Sequence, residues 1–369
     1  MSNQAELRVR AQALKSFCVR VFHKMDIPDE DANVTADVLV AADLRGVDSH
    51  GVARLRRYVQ GLQTGMMVAR PQERVIKETP VTMLIDAGAG LGQPVSHRAM
   101  QKAIQKALEV GAGFVTVRNS NHYGIAGYYA MMALEHDCIG MCMTSADVLV
   151  VPTFGRDATL GTNPIAVAAP AGKMRPFVLD MGTSTVTRGK LEVYGRLAKP
   201  LPMGWATDES GVTTDDPRRV LENFKTRAGG GLLPLGGEGA LLSGYKGYGL
   251  ALWVDIFCGV LSGAACANAV YPKTPDGKPL PANLGHFFGA WRVDAFRPVE
   301  EFKAEMDDLQ QRLKAVPKAK GQDRIYIHGE KEYEKAEAYQ RDGIPLNPKV
   351  AADLRALGQE LQVEYDLEP

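Results

Sequence analysis

The chain has no excess charge of either sign. Lys plus Arg and Asp plus Glu number 43 each across 369 residues, so the formal net charge is zero. Nothing in that balance points to nucleic acid or an acidic membrane surface as a partner. Cysteine is scarce: five residues, at 18, 138, 142, 258 and 266, form no C-x-x-C pair. An odd count without zinc or redox spacing fits free, buried thiols in a reducing, cytoplasmic setting. The opening MSNQAELRVRAQALKSF lacks the apolar core of a secretory signal. No internal repeat, low-complexity tract or H-E-x-x-H spacing is present. One stretch, 247–270, is long enough for a membrane span, but Asp255 interrupts it and glycines dilute it, so a buried core helix is expected there.

The remaining composition, 45% hydrophobic and 23% charged, is that of a globular protein large enough for two domains. Residues 4–70 show apolar positions at three- and four-residue spacing, predicting helices. From about residue 80, VTMLIDA, GFVTVRN and IGMCMTS read as strands alternating with helices, an α/β layer. The Gly- and Pro-rich segment 196–245 is expected to wrap the surface, and the charged amphipathic pattern returns after 299. The expected division is an α/β domain over 79–301 inserted into a helical domain made of 1–78 and 302–369.

Two histidine motifs carry the chemistry. In Asp48-Ser49-His50-Gly51-Val52-Ala53-Arg54, Ser49 or Asp48 is placed to cap a helix starting at His50. Four-residue steps then align His50, Arg54 and Tyr58 on one face, and a guanidinium fork suits a carboxylate. In Asn119-Ser120-Asn121-His122-Tyr123-Gly124, His122 follows a strand directly, where α/β layers bind ligands. Asn119 and Asn121 are candidates to fix its tautomer, and Gly124 and Gly127 to admit a ligand to the backbone. Histidine titrates near neutrality, which suits proton transfer. His23, His97 and His136 read as structural.

The Gly88-Ala89-Gly90-Leu91-Gly92-Gln93 turn imitates a dinucleotide fingerprint but has Gln93 where the third glycine belongs, and Asn119 stands where an acidic ribose ligand is needed. A tight turn is the better reading. Three further Gly-bearing stretches, 161–164, 180–184 and 243–249, are candidate phosphate cradles.

The ordered segments DSHGVARLRRYV, NSNHYGIAGYYA, LGTNPIAVAAP, VLDMGTSTVTRGK, LPMGWATDESG, GYKGYGLALWVDIFCGVLSG and NLGHFFGAW resemble the malate/L-lactate dehydrogenase family of the non-Rossmann type. Relatives in that family include ureidoglycolate, sulfolactate and diketogulonate dehydrogenases and piperideine-carboxylate reductases. The resemblance implies a non-Rossmann α/β fold, a homodimer, and NAD or NADP as cofactor. It does not decide between the two, and NAD is the expectation. It implies hydride transfer on a small 2-hydroxy or 2-oxo acid of the malate or lactate type. It places His50 and His122 in the active site with Arg54. Arg54 is then expected to pair with the substrate carboxylate, helped by Ser49 and Tyr58, and His122, at a strand end, is the expected proton carrier. Ser145, Asp180, Met181, Gly182, Thr183, Ser184, Tyr245 and Lys246 match cofactor positions. His328, Gly329 and Glu330 match a P-G-E segment whose proline is replaced here. A cyclic imine carboxylate needs the same anchor and is the alternative substrate. A metal-dependent hydrolase built on His50, His122 and His286 is the reading from a different class. No metal is expected.

Overall fold

The computed structural model describes residues 7–367. A seven-stranded sheet lies at its centre. Its strands run, in spatial order, Arg74–Glu78, Thr82–Asp86, Ala112–Ser120, Leu284–Arg292, Cys138–Thr144, Ile165–Ala169 and Phe177–Met181. Thr82–Asp86 and Ala112–Ser120 are parallel, joined by the helix Gly92–Val110. Every other neighbouring pair in this sheet is antiparallel. One parallel crossover on an otherwise antiparallel sheet is not the doubly wound arrangement that a dinucleotide fingerprint serves. The non-Rossmann α/β class is therefore the observed one. The run LGHFFGA is continuous rather than alternating because its strand is central and covered on both faces.

The two ends of the chain share one apolar cluster. Leu14, Phe17, Leu39 and Leu55 pack with Leu354 and Leu357, and the short strand Arg8–Val9 pairs with Ile344–Pro345. Two segments sit differently from the expected boundaries at 78 and 302. Arg74–Glu78 pairs into the large sheet. The helix Val299–Ala315 is fastened to the sheet side, where Asp307 accepts the backbone N–H groups of Gly172, Lys173 and Met174.

The segment 196–245 does not merely wrap the surface. It supplies Ala206–Thr207 and Gly231–Leu232 to a second, four-stranded sheet and the helix Pro217–Thr226, whose start is fixed by Pro217 and by Asp216 capping Arg218 and Arg219 N–H. The expected buried helix after 247 is only half buried. It runs Gly244–Asp255, then widens into a π-turn over Ile256–Val260. Ala251, Val254 and Cys258 face inward, while Leu252, Ile256, Val260 and Leu261 are exposed. Among the described residues no helix is long and apolar enough to cross a membrane, and all five cysteines are unpaired.

Candidate active site

The helix expected to start at His50 starts at Leu55. Asp48–His50 and Val52–Arg54 are separate 3-10 turns, broken at Gly51, whose ψ of −151° is extended. The cause is Asp43, a residue the motif reading passed over. Its buried carboxylate accepts Val52 N–H at 2.8 Å, and it lies so close to Gly51 that any Cβ there would overlap it. Burial pushes this carboxyl up to about 7. Neither Asp48 nor Ser49 caps a helix. Ser49 Oγ lies 2.9 Å from His50 Nδ1 instead, and Arg54 Nε donates to Ser49 O at 2.6 Å.

The stripe nevertheless converges. The Tyr58 hydroxyl reaches His122 Nδ1 at 2.7 Å, and the His50 and His122 rings stack with centroids 5.5 Å apart. Asn119 and Asn121 do not touch the ring. Asn119 Nδ2 donates to Asp86, and Asn121 Nδ2 donates to the carbonyls of Ala89 and Gly90. They tie the strand end to the 88–92 turn, and the tautomer is left to others. Gly124 N–H points at His122 Nδ1 from 3.4 Å, and a backbone N–H can only donate. With Nδ1 accepting, the neutral ring carries its proton on Nε2. Burial first, then the charges of Arg57, His50 and Arg54, hold His122 well below its ordinary value. Burial, Arg54 and Arg57 push His50 down to about 4.

Two adjoining cavities meet at these rings, sharing Ser49, His50, Gly124, Thr162, Pro164 and Thr187. The smaller, of 300 Å³, is lined by His122, Arg54, Arg57, Ser145, Asp147 and Arg188 among others. The larger, of 440 Å³, holds Asp180, Met181, Gly182, His328 and Gly329. Tyr58 is buried behind the smaller one and acts on it through His122. Arg54 is held through Nε by Ser49 O and lines the smaller cavity.

The larger cavity keeps glycine backbone open to the kind of cofactor the resemblance implies. Gly329 has φ +93°, and a Cβ there would press on Val178 in the cavity wall. Asp180 accepts Gly127 N–H at 2.7 Å, and a Cβ on Gly127 would crowd the same carboxylate. Burial raises the Asp180 carboxyl to about 6. The expected cofactor residues divide. Asp180, Met181, Gly182, His328 and Gly329 come together; Ser145 faces the smaller cavity, its hydroxyl bonded to Gly285. Thr183 and Ser184 bond to the backbone at Thr162, Asn163 and Val186 behind the wall. Glu330 is engaged by Lys314, Arg324 and Ile327 N–H, while its neighbours Lys331 and Glu332 line the cavity. Tyr245 and Lys246 lie outside both linings, Lys246 Nζ resting 6.0 Å from the Tyr245 ring centroid.

His286 is not a third member of the cluster. Its nitrogens are taken by Thr144 Oγ1 at 2.7 Å and Ser120 Oγ at 2.8 Å, and its ring stacks on Tyr123. Among the described residues no group of three His, Cys, Asp or Glu is arranged for a metal. Asp147 and Arg188 enter the site through the structure alone, and Arg57 lines it beside Arg54. Arg56, its neighbour, is paired outward with Asp353 and Glu360. The three-residue step from Arg54 to Arg57 was the available signal, since it keeps both on one helical face.

A histidine pair with an arginine, where two cavities adjoin, on this sheet, is the site of a hydroxy-acid dehydrogenase. The malate/L-lactate dehydrogenase family model matches residues 9–355, and the chain belongs to that family. It is 48% identical over 358 residues to a malate dehydrogenase of Pyrococcus horikoshii, covering 97% of this chain and 96% of the relative. An L-sulfolactate dehydrogenase of Methanocaldococcus jannaschii is 37% identical, with 95% and 96% covered. Among solved structures, the malate dehydrogenase of P. horikoshii superposes with TM-score 0.88 at 46% identity, covering 99% and 98%. That of Entamoeba histolytica gives 0.91 at 36%, covering 97% and 99%.

Proposed function

We propose that this hydroxy-acid dehydrogenase acts on a small 2-hydroxy acid of the malate or lactate type, with His122 carrying the proton and Arg54 holding the carboxylate. The observation that carries the reading is the Tyr58–His122–His50 cluster at the junction of the two cavities, with the Arg54 fork beside it. Asp180, Met181, Gly182, His328 and Gly329 would hold a nicotinamide cofactor in the larger cavity, and it would supply or take the hydride at C2. His122 exchanges a proton with the substrate oxygen at Nε2, while His50 and Ser49 orient it from the opposite side. A carboxylate on Arg54 and Arg57 offsets the charges that keep the ring neutral. Substrate binding therefore raises the proton affinity of His122 at the moment the acid is needed.

NAD is the proposed cofactor: Asp180 and Glu332 in the lining are matched by Arg45 and Lys331, so no excess positive charge there calls for a 2′-phosphate. The exposed apolar face of Leu252, Ile256, Val260 and Leu261, next to Tyr245 and Lys246, supports a homodimer. The termini are proposed to form one domain and the two sheets the other, in a reducing, cytoplasmic compartment. A screen of malate, lactate, sulfolactate, ureidoglycolate, diketogulonate and cyclic imine carboxylates with both cofactors tests the reading. Turnover of a 2-hydroxy acid is expected. Turnover of cyclic imines alone would replace it.

A further inference from the structure

Gln93 is where the 88–93 turn departs from a dinucleotide fingerprint, and the turn itself does not explain it. The residue sits in the first turn of the helix Gly92–Val110 with none of its surface exposed. Neither its amide oxygen nor its amide nitrogen completes a hydrogen bond. A buried amide left unpaired is costly, and such a group in a folded protein calls for a reason. The amide stands beside the Tyr58 hydroxyl that meets His122 Nδ1: its nitrogen faces Tyr58 Oη in the resting form, short of full hydrogen-bond geometry, and a half-turn of the amide brings its oxygen there instead. Its place is rigidly set. Asn121 clamps the carbonyls of Ala89 and Gly90, and Gly92 packs directly on the carbonyls of Asn121 and His122.

The resting arrangement has a chemical defect that Gln93 can mend. With Tyr58 O–H and Gly124 N–H both directed at Nδ1, the neutral ring has its proton on Nε2. In that form Nε2 cannot accept the hydroxyl proton of a 2-hydroxy acid. Accepting it requires the other tautomer, in which Nδ1–H donates to Tyr58 Oη. The Tyr58 hydroxyl hydrogen must then turn elsewhere, inside a wall with no water-exposed route, since Tyr58 is fully buried.

We propose that Gln93 is a positioning residue for proton transfer: its amide oxygen accepts the Tyr58 hydroxyl whenever His122 carries a proton on Nδ1. In oxidation, the bare Nε2 takes the substrate O–H proton, and the hydride from C2 would go to a bound nicotinamide. The ring becomes imidazolium, with Nδ1–H held by Tyr58 and Tyr58 O–H held by Gln93. Reduction runs the same positions backwards, Nε2 returning its proton to the alkoxide. The inference rests on His122 as proton carrier and adds the group that lets its tautomer change.

Gln93→Met keeps the size of the side chain and removes the polar atoms. It is expected to leave the melting temperature unchanged or raise it, because two unpaired buried atoms are gone. Cofactor dissociation constants should hold. The kcat of oxidation should fall about tenfold, the worth of one lost hydrogen bond. In reduction, activity declines as pH rises through the His122 pKa of the complex. Gln93→Met should move that decline down by about one pH unit, since the imidazolium is less favoured. Gln93→Glu, which restores an acceptor, should recover most of the turnover. In a Tyr58→Phe background Gln93→Met should have no further effect. A lowered melting temperature in Gln93→Met, an unmoved pH limb, or full additivity with Tyr58→Phe would each overturn the proposal. His122→Asn with turnover intact would instead remove the proton role of His122 itself, so the two failures are distinguishable.

Discussion

His122 and His286 are both enclosed by protein, and burial lowers both, His286 to about 3. They differ in what their nitrogens do. Both nitrogens of His286 are engaged by fixed hydroxyls, and its ring is stacked on Tyr123. His122 has Nδ1 engaged and leaves Nε2 to a cavity that also holds Arg54 and Arg57. A depressed pKa therefore does not separate a reacting histidine from a structural one. An uncommitted nitrogen facing space, with a charge nearby that substrate can offset, does.

Exchanging the two residues by mutation gives the largest expected contrast. His122→Asn should lose about 10²–10⁴-fold in turnover, the worth of general acid–base catalysis, and keep its melting temperature and cofactor affinity. His286→Ala should do the reverse. It strands the buried Ser120 hydroxyl, removes one of the partners of Thr144, opens a cavity beside Tyr123 and costs about 2–4 kcal/mol of stability, while the folded fraction turns over normally. Equal activity loss in both would erase the distinction.

Next in size is the anchor. Arg54→Met should cost roughly 2–5 kcal/mol of transition-state binding, about 30- to 3,000-fold in kcat/KM for the acid, with the cofactor dissociation constant unmoved. Arg54→Lys should recover part, because a point charge cannot reproduce the fork. If cofactor binding weakens instead and the acid still saturates normally, the anchor is Arg57.

The loop that carries His50 comes third. Gly51→Ala drives a Cβ into the buried Asp43 carboxylate. Its expected cost is about 1–3 kcal/mol, the range for overpacking, seen as a lower denaturation midpoint and a larger KM. A wild-type midpoint would mean Asp43 does not set this loop.

The cofactor has an effect of similar size. NADH at about 100 times its dissociation constant should stabilise the fold by about 2.7 kcal/mol, with NADPH shifting the melting temperature less at equal concentration. No shift with either nucleotide up to millimolar concentration would count against the larger cavity as the dinucleotide site. The smallest effect expected is none: exhaustive chelation should leave activity intact, and loss restored by zinc would reopen a metal reading.

Both histidine motifs were legible because their chemistry is local. Six to eight consecutive residues carry a histidine, its oxygen or amide neighbours, and glycines that open the backbone. The βαβ unit around 82–120 was legible for the same reason, as its period changes from 2 to 3.6 within one short stretch. What stayed hidden depends on long-range packing. Asp43 delays the helix to Leu55 from outside the motif. Gln93 meets Tyr58 across 35 positions of chain. The helix after 244 looked like core because hydrophobicity alone cannot tell an inward face from an exposed one.

The central claim is that substrate charge controls the protonation of His122, and nitrogen-15 NMR of the labelled imidazole reads this directly. In free protein the ring should be neutral at pH 7 with its proton on Nε2, and should stay neutral well below pH 6.5. With NADH and oxamate, a carboxylate that cannot be reduced, its pKa should rise toward neutrality, and Arg54→Met should abolish that rise. An imidazolium already present in the free protein at pH 7, or a pKa that does not move when the carboxylate binds, would contradict the account.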